Sequence, residues 1–415
     1  MAVRAVLILT AMLAAPAAAE TAPPVPPGAS ATETAMEITG TTEGMQAWLA
    51  GFRPRALAAG IPAEVFDRAT AGLEFDPGIV RKDRNQSEFT KTIWDYLDTA
   101  VSPDRIANGR AALARHADLL ARIEAAHGVD REVVVAVWGL ESAYGTYRGE
   151  VPVLGALATL AHDGRRGAFF EAQLLDALRL VAAGDVDLPD FRGSWAGASG
   201  HTQFMPSAVI AHAVDFTGDG RRNLWGDDPA DALASTAAYL KANGWVAGQP
   251  WGLEVRLPPD FDYGASGERV WKDRASWAAL GVEPAAGGAL PDHGLAELRL
   301  PAGHRGAAFL TFANFRVIET YNTADAYVIA VGHLSDRLKG GPPIAAAWPR
   351  EERALTLPER LDLQSRLTAA GFDTQGVDGK IGPRTIAAVR AFQHSRGLVP
   401  DGFASLSVLT LLQAR

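Results

Sequence analysis

The stretch VWGLESAYGTYRG, Val137 to Gly149, closes an apolar run that begins at Val133. From Val133 to Leu140 there is no charged side chain, and the only side-chain polar atom is the indole N–H of Trp138. An element that is apolar on every side must be buried on every side. It therefore draws the next residue, Glu141, toward the interior. A carboxylate taken there costs several kcal/mol unless it is partnered, or it keeps its proton. Asp130 stands as an N-cap candidate, which puts Glu141 in the last turn of the helix. Val134, Val137 and Trp138 then share its face. Two effects push the Glu141 pKa upward: desolvation against that face, and the negative end of the helix dipole. A carboxylic acid that holds its proton near neutral pH suits a general acid acting on a leaving-group oxygen. The spacing is equally compatible with a helix-end Glu that faces solvent or pairs with an arginine.

The surroundings of this run read as helical. EGMQAWLAGFRPRALAAG is an amphipathic helix ending at Gly60. GRAALARHADLLARIEAAHG reads as one helix closed by Gly128, RGAFFEAQLLDALRLVAAG as another closed by Gly184, and PADALASTAAYLKANGW as a fourth closed by Gly244. Short alternating runs with Pro and Gly between Val246 and Ala308 predict a small β-containing insertion, and helix resumes over Ala324 to Leu338. GGPPIAAAWPREERALT marks a boundary. Beyond it, helices are expected at Leu357–Ala370, Gly382–Arg396 and Ser405–Leu412, with Asp-Gly turns between them. The expected order is a signal peptide (1–19), a Pro/Ala/Thr-rich linker (20–36), a main domain (37–340), a second linker (341–356) and a small C-terminal module (357–415).

The leader rests on Arg4, the apolar stretch that follows it, and Ala17 and Ala19 in A-x-A positions before Glu20. The apolar stretch falls short of the roughly 20 residues a membrane span needs, and no later segment approaches that length. The chain has no cysteine, which removes disulfides, thiolate chemistry and a lipid-modified N-terminal cysteine. The expected location is therefore the periplasm, with no stable membrane insertion. A formal net charge of -9 over 415 residues argues against a nucleic-acid partner.

Three further stretches offer chemistry. RGSWAGASGHTQFMPSA, Arg192 to Ala208, combines glycines that permit close backbone approach with short polar side chains, including Ser194, His201 and Gln203, suited to sugar hydroxyls and N-acetyl groups. Pro206 falls in the first turn of the next helix. His162 and His201 read as ordinary hydrogen-bonding residues, since no metal-type histidine spacing is present. DFTGDGRRNLWGDDPAD places Asp215, Thr217, Asp219 and Arg221 at positions 1, 3, 5 and 7 of a calcium-type loop. Gly226 stands at position 12 instead of Glu, so Asp227, Asp228 or Asp231 has to close the shell. The alternative is a metal-free turn held by Asx-type bonds. ETYNTADAY offers Tyr321, Asn322 and Tyr327 for ring stacking and amide recognition, or as core packing, and Tyr96 invites the same two readings.

Taken together, the Glu-Ser after an apolar helix, GSWAGASGHTQFMPS, the acidic loop and ETYN occur in an order that resembles the B-type lytic murein transglycosylases, glycoside hydrolase family 103. DRNQSEFT, Asp83 to Thr90, fits the same resemblance. The final segment resembles the peptidoglycan-binding domain type 1. The resemblance implies a mainly α protein: a lysozyme-like catalytic domain with added helical and small β subdomains around a groove, plus a three-helix module. It implies Glu141 as the single catalytic acid/base. Ser194 and Gln203 match residues near the cleaved bond. Tyr96, Tyr239, Tyr321, Asn322 and Tyr327 match groove residues, and Arg165 and Arg166 match a basic pair near the substrate's peptide stem. The candidate metal set is Asp215, Thr217, Asp219, Arg221 and Asp231, for a structural Ca2+. No other cofactor is required. The implied partner is the peptidoglycan glycan strand, cleaved between N-acetylmuramic acid and N-acetylglucosamine without water. Two alternatives stand beside it: a hydrolytic muramidase on the same bond, and a non-catalytic wall-binding protein.

Overall fold

The computed structural model describes residues 38–84, 91–267 and 269–414. The leader, the first linker and most of DRNQSEFT lie outside the described residues. The helices, in chain order, are α1 (Thr42–Ala58), α2 (Ala63–Thr70), α3 (Pro77–Arg84), α4 (Ile93–Ala100), α5 (Pro103–Arg115), α6 (Ala117–His127), α7 (Arg131–Ser142), α8 (Val153–Asp163) and α9 (Gly167–Ala183). They continue as α10 (Pro206–His212), α11 (Ala230–Ala242), α12 (Arg274–Ala279), α13 (Ala313–Glu319), α14 (Asp325–Leu338), α15 (Leu357–Ala369), α16 (Pro383–Ser395) and α17 (Leu406–Gln413). Two compact units are formed. Among the described residues, one draws on 38–84 and 141–238, the other on 91–140, 239–267 and 269–414.

In the first unit the central element is α8. Val153, Leu154, Leu157 and Leu160 are all buried, and the helix packs against α1, α3 and α9. Each such side chain contributes about 1.5–3 kcal/mol on leaving water. Gly164, in the left-handed region at φ 83°, ends α8, and Gly184 at φ 78° ends α9. A short antiparallel pair, β1 (Val151–Pro152) with β2 (Arg192–Gly193), pins the chain after α7 to the start of the Gly-rich segment. Glycine stands at Gly149 because Gly193 lies against it, and at Gly193 because the Ala198 carbonyl would be 2.2 Å from a Cβ there. A Cβ on Gly149 would lie 2.2 Å from the Gly193 carbonyl, and Gly149 itself has φ 90°.

In the second unit α14 plays the central part, with Tyr327, Val328, Ile329, Val331 and Leu334 buried against α4, α5 and α13. The expected β insertion is a four-stranded antiparallel sheet of β3 (Gly252–Arg256), β4 (Glu283–Pro284), β5 (Glu297–Arg299) and β6 (Ala308–Thr311), in the order β4-β3-β6-β5. Its core holds Trp277, Leu298, Leu310 and Phe312. Trp251 joins this sheet to α14. Its indole N–H donates to Asp336 at 2.8 Å, and its ring lies over Gly332, where a Cβ would come within 2.3 Å. Burial pushes the Asp336 carboxyl up to about 6, against the opposing effect of that bond.

The structure changes two of the helix expectations. GRAALARHADLLARIEAAHG is not one helix. His116 leaves the helical region at φ -110°, ψ 26°, ending α5 and opening α6. Its ring meets Trp138 edge-on at 5.6 Å, a tertiary contact that periodicity does not carry. Helix also begins before Ala324, because α13 precedes α14 with a turn between them.

The three C-terminal helices close over Leu363, Leu367, Val389, Phe392 and Leu409. Thr356 and Glu359 form a capping box at the start of α15. The connector before it is held along its length. Ala345 and Ala346 donate backbone N–H groups to Glu254, Trp348 lies against Trp94, and Arg350 forms a bidentate pair with Asp98. Within this unit the module itself is docked through Asp401, which is buried and accepts from both the backbone and the ring of His304 at 2.9 and 2.6 Å.

Candidate active site

Glu141 is 4% exposed and its Oε2 is shielded from solvent. Val134, Val137 and Trp138 on the same helical face are buried as well. Burial removes the solvent-facing reading of this helix-end glutamate. The chain then makes an unusual turn. Ala143, Tyr144 and Gly145 are all left-handed, with φ 50°, 60° and 83°. For a residue with a Cβ such a conformation costs about 1–3 kcal/mol, and it persists only where the surroundings fix it. Here Ser142 fixes it. Its Oγ accepts from the Gly145 N–H at 2.9 Å and donates to the His201 carbonyl at 2.5 Å. Its carbonyl accepts from Tyr147 at 2.9 Å.

The Gly-rich segment folds back on itself to meet this turn. Ser199 and Phe204 exchange both backbone bonds at 3.0 Å. Ser194 Oγ accepts from the N–H groups of Ala196 and Ala198. Gln203, itself left-handed at φ 52°, donates from Nε2 to the carbonyls of Gly200 and Arg148 at 2.8 and 2.9 Å. Glu141, Ser194 and Gln203 thus fall in one unit, with Gln203 bonded directly to the chain after Glu141. His201 is buried, and burial lowers its pKa to about 4, so the ring is neutral at pH 7. With the carbonyl of Gly226 as acceptor at 2.8 Å, Nε2 carries the proton. This agrees with the ordinary role expected of it.

The basic pair has a partner that the sequence reading did not name. Arg165 Nε lies 2.6 Å from Asp83 Oδ2, and Arg166 bonds the other oxygen of the same carboxylate. The Asp83 side chain is 1% exposed. Burial alone would raise its pKa, but the two guanidinium groups outweigh it and hold the carboxyl below the usual range. Asp83 opens the DRNQSEFT stretch from the last turn of α3, but nothing in that stretch points to Arg165 and Arg166 as its partners.

In the second unit, Tyr239 donates to the Thr320 carbonyl at 2.7 Å and meets Tyr321 edge-on at 5.2 Å. Tyr239, Tyr321, Asn322 and Tyr327 are buried, and Tyr96 is half-buried on α4. Asn322 Oδ1 caps the Ala324 N–H at 3.0 Å. A charge cluster fixes the approach to this turn. Glu297 on β5 is fully buried and accepts from Arg316 of α13 at 2.7 Å and Arg299 at 3.0 Å.

The acidic loop is closed by internal bonds. Asp215 accepts from the N–H groups of Gly218, Asp219 and Gly220 and from the Thr217 hydroxyl. Of the three acids that could complete it, the structure brings Asp231. It is 2% exposed and accepts from Phe216, Thr217 and Asn223. Asp228 instead caps the Ala230 N–H. Carboxylate oxygens of Asp215, Asp219 and Asp231 lie within 4.8 Å of one another.

A family model described as a transglycosylase SLT domain matches residues 44–336, and one described as a peptidoglycan binding domain matches residues 356–412. The chain is 35% identical over 241 residues to membrane-bound lytic murein transglycosylase B of Escherichia coli (strain K12). That match takes in 58% of this chain and spans 65% of the length of that relative. SltB3 from Pseudomonas aeruginosa, solved with NAG-anhNAM-pentapeptide, is 49% identical, with a TM-score of 0.87 over 89% of this chain and 99% of that one. Escherichia coli Slt35, solved with calcium, is 29% identical, with a TM-score of 0.62 over 75% of this chain and 98% of that one.

The Asp83 clamp has a measurable consequence. Asp83→Asn should lower stability by about 1–3 kcal/mol at pH 7, a value discounted because both arginines are partly exposed. A depressed folded pKa contributes stability that is complete above the unfolded value, about 3.9, and is lost as pH falls through the folded value. Urea midpoints of the two chains should therefore differ at pH 7 and converge as pH falls below the unfolded value of about 3.9. A gap that stays constant with pH would contradict the clamp.

Proposed function

The chain belongs to the transglycosylase SLT domain family, and its model match covers most of the sequence. From that membership and the buried carboxylate of Glu141, we propose that it is a lytic murein transglycosylase with a lysozyme-like catalytic domain. Its substrate is the peptidoglycan strand, cut between N-acetylmuramic acid and N-acetylglucosamine to leave 1,6-anhydro ends. Its place of action is the periplasm. No helix among the described residues is long and apolar enough to cross a membrane.

Glu141 takes two parts in turn. It first gives its proton to the leaving glycosidic oxygen as the bond to the muramoyl anomeric carbon breaks. Most glycosidases meet the positive charge developing there with a second carboxylate. The resemblance assigns a single catalytic carboxylate, so the muramoyl 2-acetamido oxygen meets the charge by forming a transient bond to that carbon. The ionised Glu141 then removes the proton from the C6 hydroxyl of the same sugar. The C6 oxygen attacks the anomeric carbon, the acetamido oxygen leaves, and the anhydro ring closes. No water is consumed, and Glu141 ends protonated as it began. Attack within one sugar has a high effective concentration, which favours it over entry of water. Ser194 and Gln203 hold the loop beside the reacting sugar. Arg165 and Arg166, in the same unit, are assigned to the peptide stem; within the second unit, Tyr239, Tyr321, Asn322, Tyr327 and Tyr96 are a separate set assigned to glycan contacts. The C-terminal module holds the chain on the polymer and raises the local concentration of sites.

The observation that carries this reading is the burial of Glu141, and the test is its isosteric replacement. Glu141→Gln should lose at least about 100-fold in turnover of soluble glycan, the range of general acid–base catalysis. It should still sediment with insoluble sacculi, because the module is untouched. Turnover near that of the parent chain would sink the assignment of Glu141. Loss of sedimentation would sink the role given to the module.

The acidic loop fits a calcium ion. Asp215, Asp219 and Asp231 present convergent carboxylates, and Thr217 and the Arg221 carbonyl stand at the matching positions of the loop. Calcium favours such oxygen donors. When bound, it would tie the two ends of the loop together and take no part in bond cleavage. Calcium should raise the thermal midpoint, by about 2.7 kcal/mol of stability at a hundredfold excess over Kd. Asp219→Ala should remove the effect. An unchanged midpoint at millimolar calcium would contradict the site.

A further inference from the structure

Beyond the residues already given roles, we infer that Arg148 is a positioning residue, coupling the acidic loop to the backbone turn that carries Glu141. The inference rests on the function proposed above. Arg148 lies at the end of that turn, between Tyr147 and Gly149. Its Nη1 donates to the carbonyls of both Trp225 and Gly226 at 2.5 Å, and Nη2 reaches the exposed Asp227 at 3.3 Å. Its own carbonyl accepts from Gln203. One residue thus bonds the acidic loop through its side chain and the Gly-rich loop through its backbone.

The connection continues on both sides. Asn223 Oδ1 accepts from the N–H groups of Trp225 and Gly226 at 3.1 and 2.9 Å, so it sets the direction in which their carbonyls point. The Asn223 N–H is in turn held by the buried Asp231 at 2.9 Å. The Trp225 indole donates to Ser199 at 3.0 Å, and the His201 N–H donates to the Leu224 carbonyl at 3.0 Å. A continuous set of bonds therefore runs from Asp231 through Asn223 and Arg148 to Gln203, and through His201 to Ser142.

The turn needs such support. Ala143 and Tyr144 hold left-handed conformations that their own chemistry disfavours. Ser142 fixes the start of the turn and the close approach of Gly149 to Gly193 fixes its end. Arg148, within the segment between them, anchors it to a second loop. Removing it leaves two carbonyls without their charged donor and lets the turn relax. Glu141, one residue before Ser142, then loses the placement its proton transfers require. A displacement of about 1 Å can cost on the order of 100-fold in rate while binding is spared.

The test compares the parent chain with Arg148→Ala, Asn223→Ala and the double variant on soluble glycan. Arg148→Ala should lower kcat roughly 10- to 100-fold with KM nearly unchanged. Added guanidinium, below denaturing concentration, should restore part of the loss. Asn223→Ala should act in the same direction, and the double variant should be no worse than Arg148→Ala, since both break one connection. Amide exchange at Gly145 and Tyr147 should quicken in both single variants. Parental kcat in folded Arg148→Ala, additive losses, or unchanged exchange would overturn the coupling. If Arg148→Ala does not fold, Asn223→Ala carries the comparison. A parent chain that cleaves no glycan would defeat the proposed function instead, and the exchange measurement would still decide the coupling.

Discussion

The bond from Ser142 to the His201 carbonyl is the contact on which the rest of the candidate site depends. A helix that is apolar all round can carry a carboxylate inward, but it cannot by itself fix where the carboxylate ends. The chain must leave the helix at once, and here it does so through consecutive left-handed residues. Ser142 closes that turn and fastens it to the Gly-rich loop in one step. Gln203 returns the connection from the loop, and β1 and β2 keep the two strands of chain in register. The glycines at 149 and 193 then follow as a packing requirement.

The second unit meets a different constraint: buried charge. Glu297 is enclosed, yet it is matched by two arginines from β5 and α13 and by the Arg269 backbone N–H. Such a cluster is costly to break, because either side left alone would be a charge without its solvent. It therefore fixes the path of α13 into the Tyr321–Asn322 turn. The His304–Asp401 pair, with Arg390 bonded to Ser266, does similar work where the C-terminal helices dock. The module is thus carried in a defined position within its unit.

Much of this was legible in the sequence where the signal was local. The apolar run placed Glu141 in the last turn of a helix, Gly184 ended α9, and Pro206 opened α10. The three C-terminal helices fell within a residue or two of their expected limits. What escaped was tertiary. His116 breaks a helix that looked continuous, for the sake of a ring contact. Asp83 opens DRNQSEFT and Arg148 lies in VWGLESAYGTYRG, yet neither stretch names a partner, and the partners stand some eighty residues away in sequence. Tyr327 could be read as a stacking surface or as core, and only its 2% exposure shows how closely it is packed. The acidic loop left three candidates for its last ligand, and Asp231 is distinguished by burial and by its bonds to the loop backbone.

In the proposed reaction one buried carboxylate serves as acid and then base, with the sugar's own C6 oxygen as the final nucleophile. The most direct test is the mass of the new glycan ends made by the purified chain from sacculi in 18O-labelled water. The proposed reaction leaves ends one water lighter than reducing ends and free of label. Labelled reducing ends as the main product would show that water attacks the anomeric carbon, and would contradict it.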